Sequence, residues 1–271
     1  MIFEKFTASV NQAILEDNLD LALSMLKTFV FTIVQDDSAT GEVFGSKDLD
    51  LLCVQIGDRI NSKRISPVST PINGGEGILF IASHLEKLGG HSKVCIDTIK
   101  ELVKTTKVNL AVTNIHQVFD PTDLKIECPI FTPKQFGGEV STANWLIDVV
   151  LSTNPKKIVL MNHHQDSACI AAMAPFLRSK EIIFFHHADH NLCLGLHLPN
   201  VAHIDPLNIG YFDCRYNEGI SNNLFIPLAI KDRGVRSAEI SNKDFNTCSS
   251  GSYGPKFGIP YKYKYFDFII Y

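Results

Sequence analysis

A chain of 271 residues, 45% hydrophobic and 20% charged, has room for one large or two modest folded units and is too apolar to be disordered. Its 25 Lys and Arg against 29 Asp and Glu give a formal charge of -4, without the cationic excess that holds nucleic acid. Seven cysteines, an odd number with no CxxC pair, fit reduced thiols, and with no signal-peptide pattern and no apolar run of the roughly 18–20 residues a bilayer needs, a soluble cytoplasmic protein is expected.

Residues 8 to 34 place Val10, Ala13, Ile14, Leu19, Ala22, Met25, Leu26 and Phe29 at three-and-four spacing, broken by the polar turn Glu16-Asp17-Asn18. Two helices are predicted there, and a third over Asp48 to Ile60. A proline- and glycine-bearing stretch, Ser62 to Gly77, then separates a helical region, 1–70, from the remainder. From Ile78 onward, short β-rich runs alternate with helical ones. The strands are predicted at Ile78 to His84, Val108 to Asn114, Ile126 to Phe131, Lys157 to Met161, Glu181 to Phe185, Asn200 to Ile204 and Asn223 to Ile230. Helices are predicted at Ser92 to Lys104, Val140 to Ser152, Ser167 to Arg178 and Ile209 to Glu218. Strands apolar on both faces, separated by amphipathic helices, predict a doubly wound, mostly parallel α/β unit over 71–235. The tail 236–271 crowds Tyr261, Tyr263, Tyr265, Phe266, Phe268 and Tyr271 together, either as an interface or folded back on the α/β unit.

Ligands of such sheets bind beyond the carboxyl ends of the strands. That rule selects Leu88-Gly89-Gly90-His91-Ser92, Asn162-His163-His164-Gln165-Asp166 and His186-His187-Ala188-Asp189-His190, which are expected to share one edge. Gly89 and Gly90 allow close backbone approach, and the helix that follows offers unpaired N–H groups to a phosphate. Seven of the ten histidines lie between His163 and His203. Imidazoles at strand ends serve as general bases, proton donors or metal ligands, and Asp166 and Asp189 are the carboxylates placed to orient them. Two readings remain open. In one, His163, His164, His187 and Asp189 hold divalent ions for hydrolysis; Asn162-His163-His164 resembles the DHH phosphoesterase motif with its aspartate replaced. In the other, the histidines act without a metal.

Leu85-Glu86-Lys87-Leu88-Gly89-Gly90-His91-Ser92 and Phe184-Phe185-His186-His187-Ala188-Asp189-His190-Asn191-Leu192-Cys193-Leu194-Gly195 together resemble the N-terminal, acceptor-side half of a GT-B glycosyltransferase with a small helical region before it. Thr247 to Tyr253 resembles the start of the passage to the second Rossmann-like domain of that family. The resemblance implies metal-independent sugar transfer, with no cofactor, from a nucleotide-sugar donor to an acceptor. His187 or His190 is then the base, oriented by Asp189, with Gly89, Gly90 and His91 near the phosphates and His163 and His164 against substrate. It also implies a truncated transferase whose donor domain is missing or comes from a partner chain. A non-catalytic binding or scaffold protein is the third expectation.

Overall fold

The computed structural model describes residues 2–228 except 40, 69–73, 87–88, 118, 121–123, 135–136 and 188–190. The tail 236–271, with its aromatic run, and the pair Asp189 and His190 lie outside the described residues. Helices α1 (Ile2–Leu15) and α2 (Leu19–Val34) are separated where Asp17 turns left-handed at φ 62° and Asn18 caps α2 by accepting from Leu21 N at 3.3 Å. Helix α3 (Lys47–Ser62) starts at Ser46, the favoured type of residue at an N-cap.

Seven parallel strands then form one sheet: β1 (Ile78–Ala82), β2 (Val108–Val112), β3 (Ile130–Phe131), β4 (Lys157–Met161), β5 (Glu181–Phe185), β6 (Val201–Asp205) and β7 (Asn223–Phe225). Their order is β3-β2-β1-β4-β5-β6-β7, so the chain reverses its direction of travel across the sheet between β1 and β4. With helices α4 (Gly90–Leu102), α5 (Glu139–Thr153), α6 (Ser167–Met173) and α7 (Asn208–Tyr216), this is the doubly wound, Rossmann-like α/β arrangement. The strands expected to reach His84 and Asn114 end at Ala82 and Val112, the strand expected over Ile126 to Phe131 keeps only Ile130–Phe131, and two further runs shorten for local reasons. The helical run from Ser167 ends at Met173 and tightens into a 3-10 turn over Ala174–Phe176, because Pro175 has no N–H to continue the α ladder. The last strand stops at Phe225 because Pro227 cannot donate beyond the Ile226 N–H, which still reaches Asp205 O.

Side-chain alternation along the strands divides the core. Leu79, Ile81, Ile158, Leu160, Ile182 and Phe184 face α5, α6 and the helical layer α1–α3, whereas Phe80, Ala82, Val159 and Met161 face α4. The seven residues of α6, Ser-Ala-Cys-Ile-Ala-Ala-Met, are all buried, since α3 and α5 pack on it and Ser167 donates to Leu23 O of α2. No helix among the described residues is long and apolar enough to cross a membrane.

Candidate functional site

Parallel register sets Ala82, Val112 and Met161 side by side, so β1, β2 and β4 leave the sheet at one height. The residues that follow are buried and polar: Ser83, Thr113 and Asn162. While Asn162 Nδ2 donates to Leu194 O at 3.0 Å, Asp166, at the cap of α6, ties the first two together. Its carboxylate accepts from Ser83 Oγ, from Thr113 Oγ1 at 2.6 Å and from Cys169 N at 3.0 Å, while Ser83 Oγ accepts from His163 N at 2.8 Å. Asp166 therefore positions His163 through its backbone, using Ser83 as the link, rather than by a bond to the ring.

Above this clamp lies a fan of imidazoles at the point where the strand order reverses. His84 follows β1, His116 follows β2, His163 follows β4, His187 follows β5, and His91 stands in the first turn of α4. Ring centres are 5.1 Å apart for His84 and His116, 5.3 Å for His91 and His163, and 6.0 Å for His163 and His187. His91 and His187 stack at 3.8 Å. The loop carrying His116 is shaped by Asn114, left-handed at φ 56°, whose side chain accepts from Phe119 N at 3.0 Å. The turn carrying His91 is closed by Ser92 Oγ, which accepts from Glu86 N at 2.7 Å. Helix α4 opens at Gly89 without a side-chain cap, so its first N–H groups have no side-chain acceptor there.

Burial governs the charge of His91, His116, His163 and His187. It lowers His91 to about 4, helped by its neighbour His163, and lowers His187 well below the ordinary imidazole range, with His91, His163 and His164 adding to the effect. His163 and His116 are lowered by the same causes, burial first. Neutral imidazoles carry free lone pairs. His84 Nδ1 and His91 Nε2 are buried without a hydrogen-bond partner among the described residues, which is costly unless a ligand completes them. As placed, no three rings of the fan offer nitrogens within 4.8 Å of one another, and His91 and His187 stack face to face, so a shared ion would require the rings to draw inward. The unpartnered nitrogens call for a polar ligand, faced by four rings from four strand ends and one from the first turn of α4.

The three selected loops share one edge, with His91, His163 and His187 in a single group. Gly89 and Gly90 are exposed at the mouth of α4. His164 turns its carbonyl to Leu194 N at 2.9 Å, anchoring the 191–198 segment beside the site. Consecutive histidines do not act together at β5: His187 faces α4 and the fan, whereas His186 faces the opposite side of the sheet, against Asp205. His84 and His116 were not singled out from the sequence. Applying the strand-end rule to β1 and β2, as well as to the histidine-rich β4 and β5, would have found both.

A second buried carboxylate anchors the 195–197 backbone to the helical layer. Asp50 of α3 accepts from Gly195 N and His197 N, both at 2.7 Å, and burial pushes its carboxyl up to about 6 against those two donors. His197 is raised by its bond to Glu218, at 2.8 Å.

No protein-family model matches the chain, and no curated protein matches it.

Proposed function

We propose that this protein is a divalent-metal-dependent hydrolase of phosphate esters, with its centre at the imidazole fan. The carrying observation is the convergence of His84, His91, His116, His163 and His187, all five from different chain segments, at the strand-order reversal. Rings kept neutral by burial suit metal binding, because a ligand imidazole must be unprotonated. When bound there, a divalent ion supplies a water of lowered pKa and a Lewis acid for a phosphoryl oxygen. The chain's own groups do the rest. The open N–H groups at the start of α4 receive the anionic oxygens of the substrate, Asp166 and Ser83 hold His163 in place, and Glu86, whose Oε1 lies 3.3 Å from His84 Nε2, is an exposed carboxylate at the rim able to accept a proton.

Glycosyl transfer, which the Leu85–Ser92 and Phe184–Gly195 resemblance implies, would use the same α4 terminus for the donor's phosphates and His187 as the base. One experiment separates the two readings. The full chain, stripped with chelator, is assayed on p-nitrophenyl phosphate mono- and diesters with and without Mn2+ or Zn2+, and in parallel for nucleotide release from nucleotide sugars. Hydrolysis that needs added metal and falls at least about 100-fold in a folded His163→Ala variant is the expected result. Nucleotide release that persists in chelator would replace the hydrolase with a transferase.

A further inference from the structure

We propose that His186, Asp205 and Cys214 form a zinc site, separate from the imidazole fan and on the other side of the sheet, that ties β5, β6 and α7 together. The three residues come from the end of β5, the end of β6 and the middle of α7, and all three side chains are buried. His186 Nδ1 lies 3.1 Å from Asp205 Oδ1 and 3.3 Å from Cys214 Sγ, and Sγ lies 3.4 Å from the same oxygen. Among the described residues this is the one set of three such ligand atoms lying within 4.8 Å of one another.

The triangle is poorly served by hydrogen bonds alone. Nδ1–H and S–H can both donate to Asp205 Oδ1, which leaves the triangle's 3.3 Å Nδ1–Sγ edge with no proton of its own. A cation at its centre satisfies all three atoms at once. Tetrahedral zinc, with bonds of about 2.0–2.2 Å to nitrogen and oxygen and about 2.3 Å to sulfur, separates its ligands by roughly 3.3–3.6 Å, in the order nitrogen–oxygen, nitrogen–sulfur, oxygen–sulfur. The observed edges follow that order and are each shorter by a few tenths of an ångström, so a small outward movement admits the ion.

The surrounding groups fit as well. Asn223 Nδ2 donates to Asp205 Oδ2 at 2.8 Å and to Tyr211 O at 2.9 Å, which fixes the carboxylate from behind and joins β7 to α7. A mixed nitrogen, oxygen and sulfur set favours zinc over the hard ions magnesium and calcium. On binding, Cys214 releases its proton to solvent, and thiolate, carboxylate and Zn2+ sum to zero, the charge a buried site tolerates best. A water completes the fourth position.

The test is a Co2+ titration of the full-length chain, stripped with chelator under reducing conditions and read by the near-ultraviolet charge-transfer absorption that only a cobalt–thiolate bond produces. One equivalent of Co2+ is expected to saturate the band, and zinc to abolish it. The Cys214→Ser variant is expected to lose it, whereas His163→Ala keeps it, which separates this site from the fan whatever becomes of the hydrolase reading. Zinc at 100 times its dissociation constant should shift the folding equilibrium about 100-fold. X-ray absorption of the zinc-loaded wild type, which does not depend on a variant folding, should show one sulfur at about 2.3 Å among nitrogen and oxygen donors. No thiolate band in the wild type, an undiminished band in Cys214→Ser, or a zinc shell with no sulfur or with two or more would each overturn the proposal.

Discussion

Asp166 illustrates how much one buried side chain can organise. Its carboxylate caps α6 and collects the hydroxyls of Ser83 and Thr113, so the ends of β1 and β2 and the start of α6 meet on one group. Hydrogen bonds to a charged acceptor contribute about 1.5–3 kcal/mol each, and removing the acceptor leaves the Ser83 hydroxyl proton without its acceptor and Thr113 Oγ1 with only its longer bond to Ser83 O at 3.4 Å. Asp166→Ala is therefore expected to destabilise the fold by at least about 3 kcal/mol in urea unfolding. Thr113→Val, which removes only one donor, should cost about 1–2 kcal/mol. Equal effects of the two changes would mean that the clamp is not centred on Asp166. The adjacent histidines teach a related lesson: His186 and His187 differ by one residue and belong to two different sites, because a strand sends successive side chains to opposite faces.

At the scale of elements, α3 and α6 approach each other closely at Gly57. A Cβ added to Gly57 would stand 2.0 Å from Ala171 O, a backbone atom that cannot rotate away. Here glycine is required for close approach and not for an unusual backbone angle. Gly57→Ala gains helix propensity of up to about 1 kcal/mol, yet it must push two helices apart, and overpacking of this kind costs about 1–3 kcal/mol or more. A net loss of stability by thermal unfolding is the expected outcome; a rise in Tm would show that α3 and α6 are not held at this distance. The alanines of α6 carry the same requirement, since Ala168, Ala171 and Ala172 are small enough to let α3 and α5 sit on the helix from both sides.

At the scale of the whole molecule, the buried imidazoles make stability depend on pH. His91 and His203 are both lowered to about 4, chiefly by burial, and His187 lies well below its ordinary value. Between pH 4 and 6.5 these rings bind a proton only when the chain unfolds, so each contributes stability that is present above pH 6.5 and is lost as the pH falls. Asp50, raised to about 6 by burial, works in the opposite sense between about pH 4 and 6 because the folded form keeps its proton. With His163 and His116 lowered as well, the histidines outnumber the raised carboxyls Asp50, Asp58 and Glu139, so the net stability is expected to fall as the pH drops from 6.5 toward 5. His197, which is raised, acts mainly above pH 6.5. Urea titrations of the metal-free protein at pH 7, 6 and 5 should show falling midpoints. A flat profile would mean that the rings are protonated in the folded state.

The fold class was legible in the sequence because period-two and period-3.6 patterns are local: strands β4 and β5 stand where the runs Lys157–Met161 and Glu181–Phe185 predict them, whereas the helix expected to run to Arg178 ends at Met173, before Pro175. That His91, His163 and His187 share an edge also followed, since parallel strands end on one side. Residue types and spacing could not supply the remainder. His84 and His116 belong to the fan only because the order β2-β1-β4-β5 brings strands distant in sequence side by side. The pairing of His186 with Asp205 and Cys214 likewise depends on where β6 and α7 pack. The sequence by itself determined the elements and the edge on which polar chemistry gathers, through interactions between near neighbours in the chain. Only the tertiary structure decided which histidines meet, because strand order and register are set by the burial of whole faces.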